Sequence, residues 1–298
     1  MAGYILYNGF WNPDGPPAPA AAIREAAARR GAALTALPNT AVTAEFTGQT
    51  GENALRVSPL RPGDFAFFWD KDIRLARALE AAGVRLYNRA AAVEVCDDKA
   101  ATHLALARHG LPMPHTLVAP MTYREMDRAG DAFLRRGGET LGFPLVVKEC
   151  YGSFGGQVYL ARDWDELFRL ARGMGSKPFL LQRFVASSAG TDLRLYVVGG
   201  RVAAAMRRQA DGDFRANIGS GGHGEAYTPT AEEEALALTC CRVLGADFAG
   251  VDLLAEEGRP LVCEVNSNAF MAGIAACTGV DVAGAIVAYV LEQENRRA

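Results

Sequence analysis

The stretch GVDLLAEEGRPLVCEVNSN, residues 250–268, reads as a β-hairpin. Folding it about Gly258 sets Asp252 opposite Glu264, and alternation along the strand puts Asn266 on the same face. Directly opposed carboxylates repel unless something positive lies between them, and a hard cation is the natural candidate. Two carboxylates and an amide oxygen, with room for water and phosphate oxygens, form the partial shell that magnesium takes when it bridges to a nucleotide. A solvated hairpin mouth is the competing reading. Against it, Val251, Leu253, Leu261, Cys263 and Val265 make the opposite face apolar and core-facing, while Leu254 and Val262 extend the carboxylate face as hydrophobic surface toward the turn. Such a face reads as the wall of a pocket.

Around that hairpin, 298 residues, half of them hydrophobic, allow a large core divided into two or three lobes. The formal charge is −3, and no basic run with interleaved aromatics occurs, so nucleic acid is not the expected partner. No segment approaches eighteen uninterrupted apolar residues, and MAGYILYNGF has no basic region followed by a long apolar one and a cleavage site. The expectation is a cytoplasmic protein without membrane partners, and a homo-oligomer is compatible with this composition. Six cysteines without CxxC spacing read as buried free thiols, and the four histidines have no zinc-site spacing.

Upstream, residues 1–92 alternate strand and helix signals: GYILYN, a helix from Ala18 to Arg30, DFAFFWD, a helix from Asp72 to Ala82, and VRLYN. This predicts a small α/β lobe with a parallel sheet. Its first turn, NGFWNPDG, is not GxGxxG, which argues against a dinucleotide fold. A central part, 93–180, opens at CDDKAATHLALARHG, where Asp97 or Asp98 caps a helix ending at Gly110. Lys99 then lies in the first turn, where the helix dipole disfavours a cation; either the neighbouring aspartates neutralise it or it projects toward an anion. FPLVVKECYGSFGGQVYLA reads as strand, glycine-rich turn and strand, with the glycine-rich turn belonging to this part. In the last part, 181–298, DLRLYVVGGRVAAAMRRQ is a hairpin turning at Gly199-Gly200, which pairs Asp192 with Arg207 as a salt bridge or a ligand pair. Thr230 and Glu233 have capping-box spacing, and a final helix runs from about Val282 to Glu294.

Lysine is depleted from strand interiors unless its ammonium finds a partner, yet Lys148 sits among Leu145, Val146 and Val147. The GSFGG that follows, at 152–156, supplies backbone amides able to approach phosphate oxygens closely, although such a loop is often only a turn. In order along the chain stand Lys99, Lys148, Asp192, Arg207, Arg208, Arg215, Asn217 and the Asp252/Glu264/Asn266 trio. They amount to cations for phosphates and carboxylates for metals.

The ordered set DDK, VVKEC, GSFGGQV, LLQRFV, TDLRLYVVGG, DFRANI, AGVDLL and EVNSN resembles the ATP-grasp superfamily, nearest to its RimK-like ribosomal-protein glutamate ligases, from about Cys96 to the C-terminus. The resemblance implies an α/β chain, α+β in its ATP-binding part, in which a parallel-sheet pre-ATP-grasp lobe precedes a two-lobed ATP-grasp domain. It further implies ATP and Mg2+ as cofactors, with two ions and Mn2+ as a substitute. By it, Lys99 and Lys148 contact phosphates together with the loop residues Ser153, Phe154 and Gly155. The backbone of Gln182, Arg183, Phe184 and Val185 receives the adenine edge, and Asp192 reaches the ribose. Asp252, Glu264 and Asn266 hold the metal, Arg215 and Asn217 line the phosphate and acceptor region, and Arg207 or Arg208 stabilises charge on the transferred phosphoryl group. Arg183 departs from the family pattern, which has an acidic residue there, and so does Gln157, which stands where a final glycine is usual.

The implied activity is an ATP-dependent carboxylate–amine ligase, of the α-L-glutamate ligase kind, joining a small-molecule or peptide carboxylate to an amine acceptor through an acyl phosphate. A nucleotide-binding regulatory protein without turnover and a small-molecule kinase are the alternatives. WDKDIR, residues 69–74, sits at a strand end, where α/β lobes present ligand contacts or simply start a helix.

Overall fold

The computed structural model describes residues 2–51, 54–124, 126–152, 155–216 and 222–297. The first part contains β1 (Gly3–Tyr7), α1 (Ala18–Ala28), β2 (Leu34–Pro38), β3 (Thr43–Phe46), β4 (Leu55–Ser58), β5 (Phe65–Trp69), α2 (Ile73–Ala81) and β6 (Arg85–Tyr87). Its main sheet is parallel, in the order β2-β1-β5-β6, with β3 and β4 a separate antiparallel pair. The chain leaves β1 toward β2 on one side and leaves β5 toward β6 on the other. The winding therefore reverses between β1 and β5, the place where open parallel sheets bind ligands. Asp72 ends the β5 loop by capping α2, its carboxylate accepting from Leu75 N.

Next come α3 (Ala90–Asp97), α4 (Lys99–Ala107), β7 (Thr116–Val118), α5 (Asp131–Leu141), β8 (Leu145–Glu149), β9 (Val158–Ala161), α6 (Trp164–Gly173) and β10 (Phe179–Arg183). The strands form an antiparallel sheet in the order β7-β10-β8-β9. Of the two adjacent aspartates able to cap α4, Asp98 is the one used, accepting from Ala100 N and Ala101 N. The last part contains β11 (Thr191–Val198), β12 (Arg201–Gln209), β13 (His223–Ala226), α7 (Ala231–Leu244), β14 (Phe248–Glu256), β15 (Arg259–Asn266), α8 (Ala272–Thr278) and α9 (Val282–Asn295). Its sheet runs β13-β12-β11-β14-β15, antiparallel throughout. Thr230 and Glu233 complete the capping box at α7. We propose to keep the three-part division with its second boundary moved past Arg183, because β10 crosses residue 180 and belongs to the central sheet.

Both site hairpins depart from simple alternation. Gly199 and Gly200 both have positive φ, as do Glu257 and Gly258, so each hairpin closes through a two-residue turn of the primed kind. Each ladder then skips one residue. Tyr196 pairs with Ala204 while Val197 pairs with Val202, which makes Ala203 a bulge. Asp192 consequently lies opposite Arg208, and the expected Asp192–Arg207 pairing is corrected by one residue. In the second hairpin Asp252 pairs with Glu264 while Leu253 pairs with Val262, so Cys263 is the bulge. Past it the faces exchange. Val262 is buried in the core with Leu253, whereas Cys263, expected in the core, turns to the carboxylate side, and Leu254 pairs with Leu261.

The first and last parts share one core, in which Phe67 and Trp69 pack with Tyr196, Phe248, Ile286 and Val290. The Trp69 and Phe248 rings stack at 6.0 Å. Asn88, fully buried at the seam, donates to Phe248 O (2.8 Å) and Ser267 O (3.0 Å) and accepts from Asp247 N (2.7 Å). An amide so satisfied fixes the two parts against each other, since leaving such groups unpaired costs about 1–3 kcal/mol each. All six cysteines are free thiols; Cys96, Cys150, Cys240 and Cys241 are buried as expected, whereas Cys263 and Cys277 are only half-buried. Among the described residues no single helix is long and apolar enough to cross a membrane.

Candidate active site

Two clefts meet in this molecule. The first lies between the central and last sheets and is lined by Lys99, Lys148, Gly155, Gln182, Arg183, Phe184, Val185, Asp192, Arg208, Arg215, Asp252 and Glu264, nearly the whole set expected from sequence. The second lies between the carboxyl ends of β1 and β5 and the far end of β15, and includes Asn8, Asp70, Arg194, Asn266 and Asn268. Arg208 and Glu264 line both. Of the remaining expected residues, Ser153, Phe154 and Asn217 lie outside the described residues.

The opposed carboxylates at the hairpin are confirmed, but the charge facing Asp252 is arginine. Arg194, directly across from Asp252 on β11, binds it in a fork, Nε to Oδ1 at 2.7 Å and Nη2 to Oδ2 at 2.6 Å. Arg208 grips Asp192 the same way, at 2.6 Å through both nitrogens, and its Nη2 also lies 2.9 Å from Asp252 Oδ2. The result is a buried ladder of two carboxylates and two guanidinium groups across three strands. Burial alone would push the Asp252 carboxyl up, yet Arg194 and Arg208 together hold it below the ordinary carboxylate value. Asp192 has only the Arg208 fork, and burial raises it. Arg194 escaped the sequence reading because β11 and β14 are not consecutive, although it stands two residues from Asp192 on the same face.

Glu264 is met by Lys99, whose Nζ sits 3.3 Å from Oε1 and 3.3 Å from Gly152 O. Neither Asp97 nor Asp98 neutralises that ammonium; Asp97 pairs with Lys71 and Asp98 caps α4. Lys148 projects from β8 toward β15, its Nζ 3.6 Å from Cys263 Sγ. Both lysines are buried. The first cleft is thus lined by five cations, Lys99, Lys148, Arg183, Arg208 and Arg215, against three carboxylates, Asp192, Asp252 and Glu264, with Arg183 and Arg215 matched by Glu256 and Asp213 and a further cation, Arg194, reaching Asp252 from the second cleft.

Behind the lysines, His103 Nδ1 lies 2.7 Å from Lys99 O, and its Nε2 lies 3.0 Å from Gln182 Nε2. With Nδ1 donating to the carbonyl, Nε2 accepts from the Gln182 amide, which also donates to Thr116 Oγ1. Burial pushes this imidazole down to about 4, so it remains neutral and ties α4 to β10. Arg183 binds Glu256 with both nitrogens, the second bond at 2.7 Å, clamping β10 to the tip of the β14–β15 hairpin. Arg215 forks onto Asp213 and donates from Nη1 to Gly155 O at 2.7 Å, bracing the glycine-rich turn from the opposite lobe. Arg207 turns away from both clefts: it lies over the Tyr227 ring at 4.9 Å and pairs with Glu225 at 3.1 Å.

Asp252, Glu264 and Asn266 are hard oxygen donors on one face of one hairpin, which is donor chemistry that magnesium accepts. Their carboxylates are already matched by arginine and lysine, so a bare divalent ion would add to a net positive cleft. A magnesium–polyphosphate complex, negative overall, fits the charge balance where the ion alone does not. The residues therefore fit metal and nucleotide arriving together.

The model of the RimK-like ATP-grasp domain matches residues 96–290. The chain belongs to the RimK-like ATP-grasp family. It is 39% identical over 229 residues to beta-citrylglutamate synthase B of Danio rerio, covering 74% of this chain and 54% of that protein. It is 38% identical over 226 residues to N-acetylaspartylglutamate synthase A of Homo sapiens, covering 74% and 56%. The chain thus spans little more than half the length of these relatives. Among solved structures, the RimK domain ATP-grasp protein of Sphaerobacter thermophilus superposes with a TM-score of 0.72 at 22% identity, covering 97% of this chain and 99% of that one. The expected family and fold class are borne out, and the ligase expectation agrees with the relatives' names.

Proposed function

We propose that this chain is an ATP-dependent carboxylate–amine ligase with L-glutamate as its amine substrate. The observation that carries this is the meeting of two clefts at Arg208 and Glu264: one built for a polyphosphate, the other opening at the switch point of the parallel sheet. A kinase or a nucleotide sensor has less need of a second deep cleft sharing the charged residues of the first.

In this reading Lys99 and Lys148 hold phosphate oxygens, with the turn at Gly155 closing over them under the Arg215 brace. The backbone from Gln182 to Val185 receives the adenine edge, positioned by the His103–Gln182 bond. Asp192, committed to the Arg208 fork, sets that guanidinium instead of reaching a ribose. Asp252, Glu264 and Asn266 would hold magnesium, and Glu264, facing both clefts, would be shared between two ions, for which manganese substitutes. When bound, the magnesium nucleotide supplies the phosphoryl group that turns a carboxylate into an acyl phosphate. Arg208 faces the junction of the clefts with its donors fixed, where negative charge develops during that transfer, so little reorganisation is needed there. The apolar wall made by Val146, Leu254 and Ala216 excludes water from the cleft.

Incubation of the chain with MgATP, L-glutamate and either citrate or N-acetylaspartate tests the reading. Phosphate release equimolar with ADP, dependent on both acid and amine, is the expected result. Phosphate retained on either substrate would establish a kinase, and nucleotide binding without turnover a regulatory protein. Glu264→Gln removes a charged oxygen ligand at nearly constant volume and is expected to abolish turnover; retention of roughly a tenth of parent activity or more would refute its metal role.

A further inference from the structure

The second cleft has far more room than the first, about 590 Å³ against about 100 Å³. Its size is in the range of clefts that take drug-sized organic molecules. Arg208 and Glu264 stand where it meets the first cleft, but the residues that belong to it alone include much apolar surface. Trp69, Met206 and Ala269 are buried along it, and Trp11 and Phe270 line it while 78% and 48% exposed. Trp11 is exposed yet held. Asn8, directly after β1, accepts through Oδ1 from Phe10 N at 3.1 Å and from Trp11 N at 3.0 Å, and donates from Nδ2 to Asp70 Oδ1 at 3.2 Å. The turn that carries the indole is thereby tied to the end of β5. From the last part of the chain, Asn268 donates from Nδ2 to Asp70 O at 2.9 Å, which anchors Phe270 two residues further on to the same point.

Two aromatic rings kept in water on one cleft are surface whose burial by a ligand is favourable. Charge points the same way. Each cation among the described residues of this wall already meets a carboxylate: Lys71 pairs with Asp97, Arg194 with Asp252, and Arg208 with Asp192 and Asp252. One substrate carboxylate suits the junction, where the Arg208 donors are fixed and Glu264 and Asn266 would hold magnesium. A second carboxylate on the far side of the same molecule would meet Asp97 and apolar side chains. It would give up its hydration with no uncommitted cation to replace it, whereas an apolar group there gains by leaving water.

We propose that the acid activated by this chain is a monocarboxylic acid with a large apolar body, its carboxylate at the Arg208–Glu264 junction and its body against Trp11 and Phe270. This deepens the ligase reading, on which it rests, by naming the class of acid. It places citrate and N-acetylaspartate, which carry further carboxylates, among the poorer acids, turned over only at higher concentration.

N-acetyl-L-phenylalanine and N-acetyl-L-aspartate share one scaffold and differ in a phenyl ring against a second carboxylate, so they test the proposal directly. With MgATP and L-glutamate, the phenylalanine derivative is expected to show a KM lower by about tenfold or more, the worth of burying a phenyl ring. Trp11→Ala is expected to raise that KM about tenfold with kcat held, the signature of a lost binding contact, and to leave the KM for N-acetylaspartate at the parent value. Trp11→Phe keeps a ring at the position and should restore most of the preference. A KM for N-acetylaspartate equal to or below that of the phenylalanine derivative overturns the proposal; so does a Trp11→Ala variant that shifts both acids alike or neither. Should that variant fail to fold by circular dichroism, the parent comparison decides. Absence of turnover with either acid would break the ligase reading instead. Calorimetric titration of the parent with the two acids in the presence of MgADP then decides this proposal by itself: tighter binding of the phenylalanine derivative supports it, and equal binding, the reverse order or binding of neither overturns it.

Discussion

The two hairpins that build the site, β11–β12 and β14–β15, have the same construction, yet simple alternation places the charged pair correctly only in the second. Each turns through two residues with positive φ, and each carries one bulge before its charged pair. Counting from the Gly199-Gly200 turn without a bulge puts Asp192 on Arg207, one residue short. Folding about Gly258 as though the turn had three residues reaches Asp252–Glu264 correctly, because the extra turn residue stood in for the bulge at Cys263. The pair is right and the path to it is not, which is why the same count puts Leu261, Val262 and Cys263 on the wrong faces. A tight turn fixes register at the tip, whereas a bulge re-aims everything beyond it. In both hairpins the bulge brings a charged side chain onto the cleft face: Arg208 in the first, Glu264 in the second.

The strongest way to break this comparison is to remove the arginine that the first bulge delivers. Arg208→Met leaves Asp192 without its fork and Asp252 with only Arg194, so a buried carboxylate loses its partner. The expected cost is about 3–5 kcal/mol in urea denaturation, accompanied by loss of nucleotide binding. A change below about 1 kcal/mol would mean that the ladder does not hold the two hairpins together.

Acidification separates the two carboxylates by sign. Asp252 is held low, so it protonates more readily unfolded than folded; its contribution is present above 3.8 and is lost as pH falls through its folded value. Asp192 is raised, so the folded chain binds its proton first and stability falls as pH rises through the window just above 3.8. Asp252→Asn is expected to flatten the acid limb below 3.8, and Asp192→Asn is expected not to. A separate window belongs to His103, neutral in the fold and held down at about 4 against an ordinary 6.5. There the unfolded chain binds more protons, and the parent should lose roughly 3 kcal/mol between those values as pH falls. His103→Gln should remove that slope, and an unchanged slope would refute the neutral His103–Gln182 bond.

Much of this was legible because local chemistry decided it. Asp72, Thr230 and Asp98 announce helix starts, the Gly199-Gly200 pair announces a hairpin, and alternating signals in residues 1–92 announce a parallel sheet. The WDKDIR cluster at the end of β5 reads either as ligand contacts or as a helix start, and the structure shows the helix start, with Asp72 capping α2. What sequence order hides is proximity between elements distant along the chain. Arg194 meets Asp252 only because β14 inserts beside β11, and Asn268 meets Asp70 only because the first and last parts share a core. Bulges stay hidden for another reason: Ala203 and Cys263 are ordinary strand residues with no glycine to mark them.

The clamp between β10 and the second hairpin's tip offers a milder test. Arg183 and Glu256 are each about a third exposed, at 35% and 34%, so solvent screens their attraction. Arg183→Gln should therefore cost no more than about 1 kcal/mol in stability. Because the clamp joins the lobes on either side of the first cleft, where the nucleotide is proposed to bind, its loss should be felt more in nucleotide affinity than in unfolding. Equal affinity in parent and variant would show that the hairpin tip does not need fastening.

The smallest expected effect comes from the residue one position away from the largest. Arg207 and Arg208 are adjacent and chemically identical, and the Ala203 bulge alone decides which of them enters the site. Arg207 is left on the far face, 41% exposed, paired with Glu225 and lying over Tyr227. Screened by solvent on that face, the ion pair and the ring contact together are worth about 1 kcal/mol at most. Arg207→Ala should therefore leave nucleotide affinity at the parent value and shift the urea midpoint only slightly. The comparison is sharpest when both single variants are made in one preparation and read by the same calorimetric titration. If Arg207→Ala abolished nucleotide binding while Arg208→Met spared it, the register without the bulge would be the true one, and the faces assigned to every residue from Thr191 to Tyr196 would have to be exchanged against β12.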